Sequence, residues 1–215
     1  MPEFVVLSSA EEVAASAAAE IARALREGSR SLVLAGGTTP QRCYELLSEL
    51  DVEWGRIAIL FGDERCVPPD HPDSNYLMAK EALLDRVAPA TVYRMPAELG
   101  PVEGARQYAE AVASVAPLDF VVLGVGEDGH TASLFPGHPG LKAEGLTVGI
   151  HDSPKPPPER VTLTLGALRD ARHVLVLATG ADKAGAVAQA KRGEVPSGMI
   201  PHARWLIDRA AAGLK

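Results

Sequence analysis

Short apolar runs alternate with Ala-rich stretches of helical period along nearly the whole chain. Continuous runs such as Leu32-Val33-Leu34 and Phe120-Val121-Val122-Leu123 suit strands covered on both faces, as in a parallel sheet. The pattern predicts strands at Glu3–Leu7, Ser31–Ala35, Ile57–Phe61, Thr91–Arg94, Phe120–Gly124, Arg160–Leu165, His173–Ala178 and Ala203–Ile207. Helix punctuation falls between them. Ser9 and Glu12 have capping-box spacing, and Gly28 closes the Ala-rich run that follows. Pro40 suits the first turn of a helix through Gln41–Leu50, Ser74 can cap Asn75–Arg86, and Pro101 can open a helix through Val115. A further helix is expected from Ala181 to Lys191. Alternation of this kind predicts an α/β fold, a three-layer sandwich with a mostly parallel central sheet.

Composition narrows the class without changing that picture. At 215 residues the chain suits one core, so residues 1–215 are read as a single domain. The Pro-rich stretch Ser153–Pro158 is too short to divide it and reads as a stiff loop. There are 21 Lys and Arg against 28 Asp and Glu, a net charge of −7. Nucleic acid is therefore not expected as a partner, since a phosphate backbone needs a basic footprint. A small anionic ligand is still compatible, because a few local cations and amides suffice. No apolar run approaches a membrane span, and the N-terminus lacks the features of a secretory signal. Two cysteines outside any C-x-x-C pattern give no disulfide framework, so a cytoplasmic location is expected. The apolar helices are compatible with a monomer or a weak homodimer.

Four segments at predicted strand ends carry candidate chemistry. Gly36-Gly37-Thr38-Thr39-Pro40 joins a strand to a helix, where glycines permit close approach and helix amides attract anions. The plain alternative is a tight turn. Phe61-Gly62-Asp63-Glu64-Arg65 offers a guanidinium suited to phosphate or carboxylate, or else a charged loop in which Arg65 pairs with Asp63 or Glu64. The continuation Asp70–Asn75 looks metal-like, but a turn and a helix cap account for it, and no metal is expected. Gly124-Val125-Gly126-Glu127-Asp128-Gly129-His130 places an imidazole, the usual general base near neutrality, among glycines, with Asp128 able to orient it. Thr179-Gly180-Ala181-Asp182-Lys183 sets a lysine at a helix start, where a bound phosphate would supply its counter-charge; a solvated lysine is the plain alternative, with Asp182 partly offsetting the dipole penalty. Lys155 and Arg160 are further cationic candidates.

In this order, the segments resemble the 6-phosphogluconolactonase family. The matching residues are Gly36-Gly37-Thr38-Thr39-Pro40, Asp63-Glu64-Arg65 with Ser74 and Asn75, and Asp128-Gly129-His130-Thr131-Ala132-Ser133-Leu134-Phe135-Pro136-Gly137. Pro154-Lys155-Pro156-Pro157 with Arg160, then Gly180 and Lys183, complete the order. The resemblance implies a Rossmann-like fold shared with glucosamine-6-phosphate deaminases. It also implies hydrolysis of 6-phospho-D-glucono-1,5-lactone to 6-phospho-D-gluconate, the second step of the oxidative pentose phosphate pathway, without a cofactor. His130 would then be the general base and Asp128 its orienting partner. The substrate and its phosphate would be held by Gly36, Gly37, Thr38, Thr39, Asp63, Arg65, Asn75, Arg160 and Lys183. Two rivals share the phosphate cradle: an amino-sugar phosphate deaminase or isomerase, and a non-catalytic sugar-phosphate sensor. Deaminases carry Asn-Glu-Pro shortly after Asp-Gly-His, whereas here the stretch reads Ser133-Leu134-Phe135-Pro136.

Overall fold

A computed structural model describes residues 2–214. Its strands are β1 (Glu3–Leu7), β2 (Ser31–Leu34), β3 (Ala58–Phe61), β4 (Asp63–Arg65), β5 (Thr91–Val92), β6 (Phe120–Gly124), β7 (Thr147–Ile150), β8 (Arg160–Leu163), β9 (His173–Ala178) and β10 (Arg204–Asp208). Its helices are α1 (Ala10–Glu27), α2 (Thr38–Leu47), α3 (Asn75–Ala79), α4 (Pro101–Val115), α5 (Leu165–Asp170) and α6 (Ala184–Lys191). Seven strands form one parallel sheet in the order β1-β10-β9-β6-β2-β3-β5. The apolar runs read from sequence are its centre: Leu32, Val33, Leu34, Val121, Val122 and Leu123 are all fully buried. Each such side chain contributes roughly 1.5–3 kcal/mol by leaving water.

Local chemistry sets the helix limits. Ser9 accepts the Glu12 amide at 3.2 Å, while the Glu12 carboxylate reaches the Ser8 amide at 2.7 Å, one residue earlier than a standard capping box. Gly28 ends α1 at φ 126°, a conformation that favours glycine. The second helix begins at Thr38 rather than Gln41 and stops at Leu47. Gly37 precedes it, so Pro40 is its third residue, where an amide has no intrahelical acceptor in any case. The helix expected over Asn75–Arg86 is α3 running into a π-helical turn at Lys80–Leu84. The helix expected from Ala181 starts as a 3-10 turn, Ala181–Lys183, before α6.

One strand expectation needs correction. The run Arg160–Leu165 is not a strand of the central sheet. It divides at Thr164, which caps α5 by accepting the Ala167 amide at 3.1 Å, and its first half, β8, is the middle strand of a small antiparallel sheet, β4-β8-β7. The predicted strand at Thr91–Arg94 is also shorter, covering Thr91–Val92 alone. The small sheet starts where β3 passes through Gly62 into β4, so the chain leaves the parallel sheet at its C-terminal edge and folds over it.

The order of strands fixes where a ligand can sit. From β2 the chain steps outward to β3 and β5, then returns to the other side of β2 as β6 and continues to β9 and β10. The loops after β2 and β6 therefore diverge. In open α/β sheets such a switch point opens a crevice at the C-terminal strand ends.

Candidate active site

Two buried tyrosines fix the backbone just before the loops depart. Tyr44 Oη accepts the Ala35 amide at 2.8 Å and donates to the Ala35 carbonyl at 3.1 Å. Tyr108 Oη does the same for Phe61, at 2.7 and 3.0 Å. Past Ala35, the glycine loop is tight for a definite reason: a Cβ on Gly36 would lie 2.0 Å from Asn75 Oδ1, and Gly37 has φ 111°. The loop leads into the first turn of α2, whose amides at Thr38 and Thr39 have no intrahelical acceptors and present a positive dipole end.

From the small sheet come Asp63 and Arg65. Asp63 is buried; it accepts the Ser133 hydroxyl at 2.5 Å and the Asn75 side-chain amide at 3.3 Å. Arg65 forms no ion pair with Asp63 or Glu64 among the described residues. Its Nη1 instead donates to the Asp73 carbonyl at 2.5 Å, and its buried Nε has no protein partner. Ser74 caps α3 by accepting the Leu77 amide, and Asn75 follows it into the site.

The loop after β6 carries the imidazole. His130 Nδ1 lies 2.5 Å from Asp128 Oδ1, and the same oxygen accepts the His130 amide at 3.2 Å. This pairing assigns the ring proton to Nδ1 and leaves the Nε2 lone pair free. Gly126 makes room for the pair, since a Cβ there would meet His130 Nδ1 at 2.0 Å and Asp128 Oδ1 at 2.7 Å. Burial pulls the His130 pKa below the ordinary imidazole value, and the bond and charge of Asp128 oppose that shift without cancelling it. Asp128 is pushed up by burial, but the bond and charge of His130 outweigh this and hold it below the usual carboxylate range. The pair is thus neutral imidazole beside carboxylate near pH 7.

Arg160 and Lys183 differ in their availability. Arg160 is buried; its Nε donates to the Pro157 carbonyl at 3.1 Å and its Nη2 to the carbonyls of Lys155 and Pro156 at 3.1 and 3.0 Å. Only Nη1, 3.5 Å from Ser133 Oγ, faces away from the Pro-rich loop it holds. Lys183 is paired with Asp182 at 2.8 Å, so an intrachain carboxylate supplies the counter-charge that the sequence suggested a ligand would provide.

Ten of the expected site residues, Gly36, Gly37, Thr38, Thr39, Asp63, Arg65, Asn75, His130, Arg160 and Lys183, line one cleft of about 380 Å³. Asp128 stands behind His130 and does not line it. Sequence reading did not single out Ser133, Thr179 or Asp182 as site residues. The first two act through hydroxyl bonds, Ser133 to Asp63 and Thr179 Oγ1 to Thr39 Oγ1 at 2.7 Å, which no sequence spacing signals. Cys66 lies outside the cleft, and burial raises its thiol to about 12, far from a thiolate nucleophile. No group of three or more His, Cys, Asp or Glu able to hold a metal occurs among the described residues. No helix among them is long and apolar enough to cross a membrane.

An imidazole–carboxylate pair and amide- and cation-bearing loops, gathered at the switch point of a parallel sheet, define a Rossmann-like α/β enzyme with its cleft at the C-terminal strand ends. The chain belongs to the family described as glucosamine-6-phosphate isomerases/6-phosphogluconolactonase, which matches residues 7–210. A 6-phosphogluconolactonase of Streptomyces coelicolor is 41% identical over 98% of this chain and 94% of its own length. The structure of 6-phosphogluconolactonase from Trypanosoma brucei superposes with a TM-score of 0.86 at 29% identity, covering 99% of this chain and 98% of that one. A monomeric glucosamine-6-phosphate deaminase shares the fold, with a TM-score of 0.86 at 23% identity over 99% of this chain and 100% of its own.

Proposed function

We propose that the chain hydrolyses 6-phospho-D-glucono-1,5-lactone to 6-phospho-D-gluconate, with His130 as general base. The observation that carries this reading is the His130–Asp128 pair at 2.5 Å, whose imidazole lines the cleft that also holds the α2 N-terminus and Lys183. A neutral Nε2 can take a proton from water. The resulting hydroxide adds to the lactone carbonyl carbon, giving a tetrahedral alkoxide. The alkoxide collapses, the bond from that carbon to the ring oxygen breaks, and the imidazolium returns its proton to the departing oxygen. Asp128 holds the ring in the required tautomer and stabilises the imidazolium. Proton uptake and release close on one side chain. Amides of the glycine loops are suited to the oxyanion.

The phosphate is assigned to the α2 N-terminus with Thr38 and Thr39, and to Lys183 and Arg65, with Arg160 Nη1 as a further donor. Asp63 and Asn75 are assigned to the sugar hydroxyls. The family name also covers isomerases, but the stretch where deaminases carry a carboxylate here has Leu134 and Phe135, both buried. No acidic side chain is therefore available there to open an amino-sugar ring. A sugar-phosphate sensor would need the cradle but not the imidazole pair.

The test is acid release from the lactone, measured against an enzyme-free control because the ring also opens spontaneously, with ammonia release from glucosamine 6-phosphate followed in parallel. Replacement of His130 by Ala is expected to lower turnover by on the order of 10²–10⁴. A folded His130→Ala protein turning over at the native rate would sink the assignment.

A further inference from the structure

Glu64 stands between two residues assigned to substrate, yet it does not line the cleft. It is only 3% exposed, and no cation pairs with it among the described residues. A buried carboxylate without a counter-ion is costly unless hydrogen bonds replace its water. Here four donors do so. Oε1 accepts the amides of Arg65 and Asn75, both at 2.8 Å. Oε2 accepts the Tyr76 amide at 2.8 Å and the Ser74 hydroxyl at 3.0 Å. Three of these donors belong to the first residues around the start of α3, and the fourth is on β4, ten residues earlier in the chain.

We propose that Glu64 is a positioning residue for substrate binding: its carboxylate clamps the start of α3 to β4 and so sets Arg65 and Asn75 against the Gly36 loop. The clamp acts on both residues at once. Asn75 is held by its own amide, and its side chain then meets the Asp63 carbonyl at 2.9 Å and abuts Gly36. Arg65 is held by its amide, and its guanidinium reaches the Asp73 carbonyl on the segment the clamp secures. Burial raises the Glu64 pKa and the four donors oppose it, as expected for a carboxylate sustained by neutral dipoles. Its oxygens have no capacity left for substrate.

The inference rests on the reading of Arg65 and Asn75 as substrate contacts, and the experiment separates the two claims. Glu64→Gln keeps the shape but turns one acceptor into a donor facing donors. Amide hydrogen exchange is followed residue by residue, and KM and kcat are measured for the phosphorylated lactone. Faster exchange is expected at Arg65, Asn75 and Tyr76, with the central strands unchanged. KM should rise about tenfold, the scale of one lost hydrogen bond to a charged group, while kcat stays within about threefold because the His130 pair is untouched. Arg65→Ala is run beside it. Unchanged exchange at those amides, or a fall in kcat at unchanged KM, overturns the positioning role. If Arg65→Ala alone leaves KM unaltered, the substrate assignment of Arg65 fails instead. In that case, a raised KM in Glu64→Gln would have to act through Asn75, and a Glu64→Gln/Asn75→Ala double variant with additive effects would overturn the clamp.

Discussion

The most discriminating perturbation is a single methyl group placed where the structure leaves no room for it. In Gly126→Ala the added Cβ would lie 2.0 Å from His130 Nδ1, 2.1 Å from Cε1 and 2.7 Å from Asp128 Oδ1. Ordinary contact begins near 3.4 Å, so the ring must retreat from the new methyl by more than an ångström and the carboxylate by about 0.7 Å. Gly126 is not among the glycines with positive φ, so alanine adds bulk there without backbone strain. Displacements so unequal distort the bond that orients His130, 2.5 Å long. A misplacement of this size costs on the order of 10²-fold in rate, against a loss of on the order of 10²–10⁴ for removing the base altogether. The phosphate contacts proposed above lie on other loops and should be spared. Steady-state hydrolysis, corrected for spontaneous opening, should show kcat lowered by on the order of 10²-fold, with inhibition by inorganic phosphate unchanged. A Gly126→Ala protein with native kcat would refute the claim that the pair's geometry governs turnover.

Other expectations follow from the same contacts. Because burial depresses the His130 pKa, the acidic limb of kcat/KM should have its midpoint below the ordinary imidazole value, with activity rising as pH increases through it. Asp128→Asn removes an influence that raises that pKa, so the limb should move to still lower pH while the plateau falls; a limb moving upward would contradict the pairing. Asp182→Asn frees Lys183 from its intrachain partner and should strengthen inhibition by inorganic phosphate, by no more than about fivefold because Asp182 is exposed. Weakened inhibition would remove Lys183 from the phosphate site. Tyr44→Phe leaves the buried Ala35 amide without its acceptor and should lower stability by about 1–3 kcal/mol, read as a lower denaturation midpoint.

Much of the fold was legible because its strands are apolar on both faces, and burial of Leu32–Leu34 and Phe120–Leu123 decides the sheet almost unaided. The convergence of the glycine loop, His130 and Lys183 was legible for a related reason: each directly follows such a strand. What escaped notice is stabilised by polar bonds instead. Asp63-Glu64-Arg65 reads as a charged loop, yet it is a strand whose carboxylates are satisfied by Ser133, Asn75, Tyr76 and Ser74. β7 was missed because its alternation is broken at Gly149, where a side chain would strike the Pro101 carbonyl at 2.5 Å. α5 is only six residues long, too short for a helical period to declare itself. Likewise, nothing in the spacing of Tyr44 and Tyr108 announces that each grips a strand end.

The pairing of β1 with β10 has a consequence in time. Among the described residues the one strand neighbour of Glu3–Leu7 is Arg204–Asp208, which emerges from the ribosome about two hundred residues after it. The same late strand carries Asp208, whose carboxylate accepts the Gly180 amide at 3.1 Å at the start of the turn that bears Lys183. Until that strand docks, one edge of the sheet stands unpaired and the Lys183 side of the cleft lacks its support. The cleft is therefore complete only once that strand has been made and has docked, and a chain halted before Asp208 would expose an apolar edge to aggregation rather than work at reduced rate.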